Sequence, residues 1–176
     1  MGKRSSFERV ERDFYPTPIE AVFPLSAHLA DVSGFYEPCA GDGRLSAHLV
    51  SLGIEVRGQL DIEPMHGDVA RGSAFDLCED DLRGASHIIT NPPWDRKILH
   101  PMIEHFSSMR PTWLLFDADW MHTKQSAQFM PRLRKIVSVG RVKWIPDSKM
   151  TGKDNCAWHL FGAPSDEPAI FYGRVK

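Results

Sequence analysis

The chain has 176 residues, a length typical of one domain. Its composition, 42% hydrophobic and 25% charged, is that of a globular protein, and no apolar run approaches the ~18 residues that a membrane span requires. Disordered and membrane-spanning chains are thereby excluded. No apolar stretch follows the charged start, so the sequence predicts no secretory signal and a cytoplasmic protein. The cysteines are three and widely spaced, which argues against a disulfide framework or a zinc site.

Charge is unevenly distributed, although the net charge is only -2. Residues 61–81 carry seven acids against one base, a local charge of -6. Residues 121–155 carry eight bases against two acids, a local charge of +6. The acidic stretch suits a cationic ligand and the basic stretch suits phosphates, but solvated faces of ordinary helices and loops give the same pattern.

Apolar runs and helix-like stretches alternate along the chain, as in strand-helix-strand units around a mostly parallel sheet. The first half predicts a helix over 19–29, strands over 34–37 and 54–60 with a helix over 44–52 between them, a third strand within 72–75 and a strand over 85–90. The second half predicts a helix over 98–109, a strand over 113–116, a helical segment over 126–133 and antiparallel strands over 136–139, 142–145 and 156–161. The fold class is therefore α/β with a β-rich end.

A glycine-containing turn, Glu37-Pro38-Cys39-Ala40-Gly41-Asp42-Gly43, follows the first strand. Ligands of open α/β sheets bind at this end of parallel strands, although a tight strand-to-helix turn needs the same glycines. The turn is not GxGxxG, and no Gly-Lys-Ser/Thr follows it, so a phosphate-binding P-loop is absent. Asp61 ends the next strand, where an acid accepts hydrogen bonds from ribose hydroxyls, or else caps a surface turn. The two features fit an adenosine-containing cofactor.

The most specific motif is Asn91-Pro92-Pro93-Trp94, directly after a buried-looking strand. The two prolines fix the backbone and remove two N–H donors. The Asn91 side-chain oxygen and the Pro92 carbonyl can then accept from one planar amino group, while Trp94 offers a stacking surface. Such a site positions an amine for methylation rather than acting as a strong base. The alternative is a proline turn with a buried tryptophan.

With these motifs, the chain resembles the class I S-adenosylmethionine-dependent methyltransferases, specifically the DNA N6-adenine methyltransferases, and most closely the short phage-encoded kind. The resemblance covers nearly the whole chain. It implies a Rossmann-like seven-stranded sheet, mostly parallel, with an antiparallel strand at the C-terminal edge, helices on both faces and a single domain over 1–176. It also implies S-adenosyl-L-methionine as cofactor, no metal, a DNA substrate and the cytoplasm of a bacterium or a phage-infected host.

The resemblance also implies roles for individual residues. Asn91, Pro92, Pro93 and Trp94 would form the catalytic site for an adenine flipped out of the DNA stack. The start Asp13-Phe14-Tyr15-Pro16-Thr17-Pro18 resembles the family's amino-terminal cofactor motif, in which Thr17 contacts the cofactor carboxylate. The cofactor-binding residues expected in this way are Phe14, Tyr15, Thr17, Glu37, Pro38, Cys39, Ala40, Gly41, Gly43, Asp61, Ser73, Phe75 and Asp76.

Two departures from the family pattern affect these expectations. The family usually has Asp and an apolar residue where this chain has Gly72-Ser73-Ala74-Phe75-Asp76, so either Ser73 or Asp76 contacts the cofactor adenine. Asp76 is favoured, because its carboxylate can accept from the adenine amino group while Phe75 covers the ring. The chain also has no room for a separate target-recognition domain, which implies short or lax specificity, or recognition through a homodimer or a partner subunit.

The basic stretch follows the catalytic loop and is expected to contact phosphates through Lys124, Lys149 and Lys153. Two loops, over 120–122 and over 149–155, are alternative candidates for clamping the flipped base. Trp144 and Trp158 alternate with apolar neighbours and are expected in the core.

Three functional hypotheses remain open from sequence. The first is N6-adenine methylation of DNA, in a restriction-modification or related setting. The second keeps the chemistry and moves it to amino groups of RNA or to glutamine amides of proteins. The third is a cofactor-binding module that needs a partner subunit for activity.

Overall fold

The structure is a computed structural model, and it describes residues 15–145 and 151–174. Two expected site residues, Phe14 and Lys149, lie outside the described residues.

Helices and strands alternate through most of the described chain. Its three α-helices are α1 (Ile19–Ser26), α2 (Arg44–Ser51) and α3 (Arg96–Met109). The strands are β1 (Phe35–Glu37), β2 (Val56–Asp61), β3 (Ala70–Arg71), β4 (His87–Thr90), β5 (Thr112–Asp117), β6 (Leu133–Gly140), β7 (Cys156–Phe161) and β8 (Ile170–Tyr172). Short 3-10 segments cover Glu79–Leu82, Ala118–His122 and Lys124–Arg132.

The described strands form one eight-stranded sheet in the order β3-β2-β1-β4-β5-β7-β6-β8. Neighbouring strands pair in parallel, except that β7 runs antiparallel to both β5 and β6. The carboxyl ends of β1 to β6 therefore meet at one edge of the sheet, which we call the site edge. The amino ends of these strands lie at the other edge, which we call the opposite edge.

The fold class expected from sequence is confirmed, but the strand count is eight rather than seven. The additional strand, β8, pairs in parallel with β6 through Ile136 and Phe171. It has three residues, so it carries no period that a pattern could detect. The third strand expected within 72–75 is wrong: β3 occupies Ala70–Arg71, and a turn follows it.

Two further expectations at the end of the chain are corrected. Residues 142–145 form no strand, because Gly140 adopts a left-handed backbone with φ of +87° and the chain leaves the sheet there. The helical segment expected over 126–133 is a 3-10 segment over Lys124–Arg132, with Pro131 inside it. The first helix ends at Ser26, three residues before the expected Leu29.

Side chains alternate between the two faces of the sheet and build a core on each. Phe35 packs with α1 and α2 in one core, whereas its neighbour Tyr36 packs with α3 in the other. Trp158 is completely buried and donates its indole N–H to the Ala21 carbonyl of α1 at 2.7 Å. This contact fixes α1, and with it the preceding segment, against the sheet.

Within the described residues, none of the helices combines the length and the apolar character that crossing a membrane requires.

Candidate active site

An open cavity of about 1140 Å³ lies at the site edge, where the loops after β1, β2, β3 and β4 converge. Single small-molecule pockets have volumes of roughly 300–1,000 Å³. The cavity is therefore large enough for a cofactor together with part of a substrate. Twelve of the residues expected from sequence line it: Tyr15, Thr17, Glu37, Pro38, Cys39, Ala40, Gly41, Asp61, Ser73, Phe75, Asn91 and Pro93.

The glycine turn after β1 forms one wall of the cavity. Gly41 and Gly43 have φ of +53° and +75°, a backbone conformation that strongly favours glycine. Gly41 lines the cavity, whereas Gly43 lies beside Gln59 and Val69 and turns the chain into α2. The structure thus places Gly43 outside the cavity lining, in a backbone role.

Asp61, the last residue of β2, connects the neighbouring loops. Its Oδ2 accepts from the Gly41 backbone N–H at 2.7 Å, and its Oδ1 accepts from the Glu63 N–H at 2.8 Å. These bonds hold the carboxylate at the cavity wall. Each oxygen retains a lone pair that can accept from a ligand hydroxyl.

The segment after β3 brings Ser73 and Phe75 to the cavity, but not Asp76. Ser73 and Asp76 close a turn, with the Asp76 N–H donating to the Ser73 carbonyl at 3.0 Å. Asp76 is exposed outside the cavity lining, and Phe75 is 45% exposed at the cavity rim. Of the two alternatives left by the sequence, Ser73 is therefore the one that lies against the cavity.

The Asn91 amide lies at the end of β4, in an orientation fixed by three hydrogen bonds. Its Nδ2 donates to the Thr17 hydroxyl at 3.1 Å and to the Tyr15 carbonyl at 3.4 Å. Its Oδ1 accepts from the Trp94 indole N–H at 3.2 Å. Oδ1 keeps one lone pair for another donor. The adjacent Pro92 is buried and contributes no N–H.

Trp94 is half-buried outside the cavity lining, and its indole N–H is shared between Asn91 and the Leu115 carbonyl, 3.1 Å away. Its ring is nearly perpendicular to that of Trp144, with centroids 5.8 Å apart. Trp144 also contacts Tyr15, at 6.4 Å between ring centroids. Trp144 was expected on a core strand, but it lies half-buried on a loop beside the Asn91 site.

Glu37, the last residue of β1, is a buried acid in the cavity wall, with 1% of its surface exposed. Burial raises the pKa of Glu37 to about 8, and the carboxylates of Asp42 and Asp61 add to the rise. The Ser46 hydroxyl, which donates to Glu37 Oε2 at 2.5 Å, opposes it. Glu37 is thus largely protonated at neutral pH and can ionise when a cation binds beside it.

Because the pKa of Glu37 is higher in the folded chain than its ordinary 4.5, the folded chain holds one more proton between those pH values. The free energy of unfolding should therefore fall as pH rises from 5 to 8. We expect this fall to be on the order of 3 kcal/mol, as each pKa unit corresponds to about 1.4 kcal/mol. Glu37→Gln, which cannot ionise, should lack it. Urea unfolding of both chains at pH 5 and pH 8 measures the difference, and parallel pH profiles would refute the assignment.

Acidic side chains outnumber basic ones in the cavity lining, and the sequence motifs did not identify most of them. Arg71 is the single basic residue among those described as lining it. Asp42 pairs with Arg44 at 3.2 Å, and Asp95 caps α3 by accepting from the Lys97 N–H. The acids that line the cavity are Glu37, Asp42, Asp61, Glu63 and Asp95. The signal that could have identified them in the sequence is their position after a strand or within the glycine turn.

The basic stretch is divided between the two edges of the sheet. Arg134 donates to the backbone carbonyls of Pro131, Leu133 and Ala163, and Arg132 donates to Ser107, all at or near the amino end of β6. These guanidinium groups stabilise the opposite edge. Exposed bases of the stretch also lie at the site edge, on the loop that joins β6 to β7, which includes Arg141, Lys143 and Lys153.

The described parts of the loop that joins β6 to β7 are bonded to each other and to the residue that follows β5. The Gly152 N–H donates to the Val142 carbonyl at 2.7 Å, and the Ala118 N–H donates to the Asn155 carbonyl at 2.9 Å. Lys124 is exposed at the start of a 3-10 segment, where its neighbour Gln125 accepts from Arg96 at the start of α3. Both expected lysines that the structure describes, Lys124 and Lys153, thus lie near the site edge.

Residues 15–145 and 151–174 contain no group of three or more His, Cys, Asp or Glu side chains placed to hold a metal ion.

Comparison with known proteins gives structural matches but no sequence family. No family model matches the chain, and no curated protein matches it. A protein from Pyrococcus horikoshii assigned as an RNA methyltransferase is similar over 89% of this chain and 90% of its own, with 18% identity and a TM-score of 0.56. A protein from Listeria monocytogenes assigned as a class I S-adenosylmethionine-dependent methyltransferase is similar over 95% of this chain and 68% of its own, with 10% identity and a TM-score of 0.61.

The fold is that of the class I methyltransferases. A chain of a type I restriction-modification system has the same fold, with 14% identity and a TM-score of 0.55 over 96% of this chain and 46% of that one. In this methyltransferase fold, the cavity occupies the carboxyl ends of β1, β2 and β4, where open α/β sheets bind their ligands. At these levels of identity the comparisons establish the fold, and function must be argued from the site.

Proposed function

We propose that this chain is an S-adenosyl-L-methionine-dependent methyltransferase that methylates N6 of adenine in DNA. The observation that carries the proposal is the orientation of the Asn91 amide. Its nitrogen is held by Thr17 and Tyr15, so its oxygen is the end that meets a substrate. Because the amide cannot turn to present its nitrogen, the site offers only an acceptor oxygen. Such a site selects an amino group, as on adenine.

The charge of the cavity suits a sulfonium cofactor. Its lining has five acids and one base among the described residues. Glu37 is buried there, and none of the groups that shift its pKa is positively charged. Asp61 would accept from the ribose hydroxyls, and Phe75 would cover the adenine ring beside Ser73. The backbone of the Gly41 turn would pack against the methionine part. When bound, this cofactor supplies an electrophilic methyl group.

The residues around Asn91 would bind and orient the target amino group. Asn91 Oδ1 and the Pro92 carbonyl accept the two hydrogens of the target amino group and direct its lone pair toward the cavity. The amine is thereby aligned without a strong general base. Electrostatic stabilisation of the transition state supplies the remaining rate enhancement. A base inside a duplex must first leave the stack, at a cost of a few kcal/mol. Trp144 and Trp94 offer aromatic surface beside Asn91 for the extruded base.

The backbone of the nucleic acid would contact the site-edge loop with Arg141, Lys143 and Lys153. Asp61 and Glu63 line the cavity after β2, on the side away from this loop, where they would repel a phosphate chain. A nucleic acid would therefore cross the β5, β6 and β7 side of the site edge. We propose that residues 1–176 form a single domain and that a second copy or a partner subunit contributes to recognition of a longer DNA sequence.

Neutralising site-edge lysines should weaken DNA binding and reduce its salt dependence. Each lost phosphate contact should lower the slope of log affinity against log salt by about 0.9 on duplex DNA and 0.7 on a single strand. We therefore expect Lys143→Gln and Lys153→Gln each to flatten the slope by nearly one unit, measured by fluorescence anisotropy with labelled DNA.

Lys135→Gln is the matched control, because Lys135 belongs to the same basic stretch but lies near the start of β6, at the opposite edge. Its salt slope should equal that of the unmodified chain. Equal slopes for all four proteins would remove the site-edge loop from the DNA interface.

The proposed reaction is tested by incubating the protein with labelled S-adenosylmethionine and, separately, unmethylated duplex DNA, single-stranded DNA and RNA. Nucleoside mass spectrometry then identifies the product. We expect N6-methyldeoxyadenosine, and the more reactive DNA identifies the strand state. Label in RNA alone would preserve the chemistry and overturn the DNA assignment.

A second outcome concerns partner dependence. One structural relative belongs to a type I restriction-modification assembly, in which a chain of this fold is about half of a larger subunit. Cofactor binding without transfer to any polymer would favour a module that requires another subunit, and would overturn the proposal for the isolated chain.

A further inference from the structure

The Asn91 amide has two ends of nearly equal shape and opposite hydrogen-bonding character. With the oxygen toward the substrate it accepts from an amino group, and with the nitrogen toward the substrate it repels one. A half-turn about one side-chain torsion exchanges the two. The site therefore needs groups that distinguish oxygen from nitrogen.

Thr17 and Tyr15, from a distant part of the sequence, bind the nitrogen end of this amide, and the Tyr15 carbonyl makes the distinction. The Thr17 hydroxyl lies 3.1 Å from Asn91 Nδ2, across 74 residues of chain, and the Tyr15 carbonyl lies 3.4 Å from the same atom. A carbonyl can only accept, so it selects the amide nitrogen. Thr17 is 4% exposed, and its hydroxyl makes the shorter of the two contacts.

The opposite end of the amide is selected by Trp94. Its indole nitrogen can only donate, and it lies 3.2 Å from Asn91 Oδ1. A reversed amide would set N–H against N–H at Trp94 and oxygen against oxygen at Tyr15. The Tyr15 and Trp94 contacts thus each select the same orientation, and the Thr17 hydroxyl, which can donate or accept, holds the nitrogen end in place.

The position of Thr17 is itself constrained by the prolines on either side, Pro16 and Pro18. Proline fixes its own φ and restricts the preceding residue to extended conformations. Pro18 is extended, with φ of -77° and ψ of 156°, and α1 begins immediately after it. The Thr17 hydroxyl is thereby presented to Asn91 by a stiff segment.

We infer that Thr17 is a positioning residue that holds the Asn91 amide with its oxygen toward the substrate amino group. The catalytic consequence of this inference rests on the proposed function, whereas the contact between Thr17 and Asn91 does not. It assigns Thr17 an effect on methyl transfer that is separate from any contact with the cofactor carboxylate.

The test compares Thr17→Val, which keeps the shape and removes the hydroxyl, with Thr17→Ser, which keeps the hydroxyl. We expect Thr17→Val to lower kcat at least about tenfold, with the cofactor Kd within threefold of the unmodified chain by calorimetry. Thr17→Ser should recover most of the lost rate. A raised cofactor Kd with unchanged kcat at saturation would mean that Thr17 acts through the cofactor, and would overturn the inference.

A second measurement does not depend on activity. The side-chain amide resonances of Asn91, identified in ¹⁵N spectra by their absence from Asn91→Asp, should shift in Thr17→Val and return toward their original positions in Thr17→Ser. Unchanged resonances in Thr17→Val would overturn the inference. If they shift as expected while the unmodified chain methylates no polymer, the proposed function fails and the positioning contact stands. Should Thr17→Val not fold, Thr17→Ala removes the same hydroxyl and carries the same expectations.

Discussion

Asn91→Ala is expected to lower the rate of methyl transfer by about 100- to 1,000-fold, because it removes the acceptor that aligns the target amine. Cofactor affinity should stay within a few fold, since Asn91 contacts Thr17, Tyr15 and Trp94 rather than the loops after β1 and β2. Single-turnover transfer at saturating cofactor measures the first quantity, and calorimetry measures the second.

Asn91→Asp provides the contrast. It keeps an acceptor oxygen but sets a carboxylate against the Tyr15 carbonyl, so we expect a rate between those of Asn91→Ala and the unmodified chain. Loss of cofactor binding in Asn91→Ala, with the rate at saturation preserved, would mean that the loop after β4 serves the cofactor rather than the target base.

Asp61→Asn is expected to weaken cofactor binding by about 100-fold. The amide has one acceptor atom where the carboxylate has two, and these already serve the N–H groups of Gly41 and Glu63. One backbone donor must then lose its partner, which displaces the turn that lines the cavity. Titration calorimetry with S-adenosylmethionine measures the change.

Asp68→Asn is the matched control, because Asp68 belongs to the same acidic stretch but is highly exposed and does not line the cavity. It should bind the cofactor with unchanged affinity. Equal weakening in both variants would indicate a general effect of the acidic stretch and would contradict a specific contact by Asp61.

The sequence predicted that the candidate site residues after the strands would lie together. Asp61 and Asn91 each come directly after a predicted strand, and the glycine turn begins where another ends, so parallel pairing places all three at one edge. The choice between Ser73 and Asp76 depended on where a two-residue strand, β3, ends. Both of its residues are exposed, so no periodicity marks it.

Other features depend on contacts that no local pattern encodes. Residues 142–145 alternate apolar and polar side chains as a strand does, yet Gly140 turns the chain away from the sheet and Val142 accepts from Gly152 instead. That change moves Trp144 from an expected core strand to the site edge. The bond from Asn91 to Thr17 joins two motifs that the sequence predicted separately, with different roles.

Because the basic stretch is divided between two edges of the sheet, substitutions of its residues should have different effects at each edge. Arg132 and Arg134 bind Ser107 and backbone carbonyls at the opposite edge, far from the cavity. The bases of the site-edge loop lie on a connection rather than in the sheet. If the proposed function holds, substitutions in that loop would alter which nucleic acids are accepted, while the residues that stabilise the sheet stay the same.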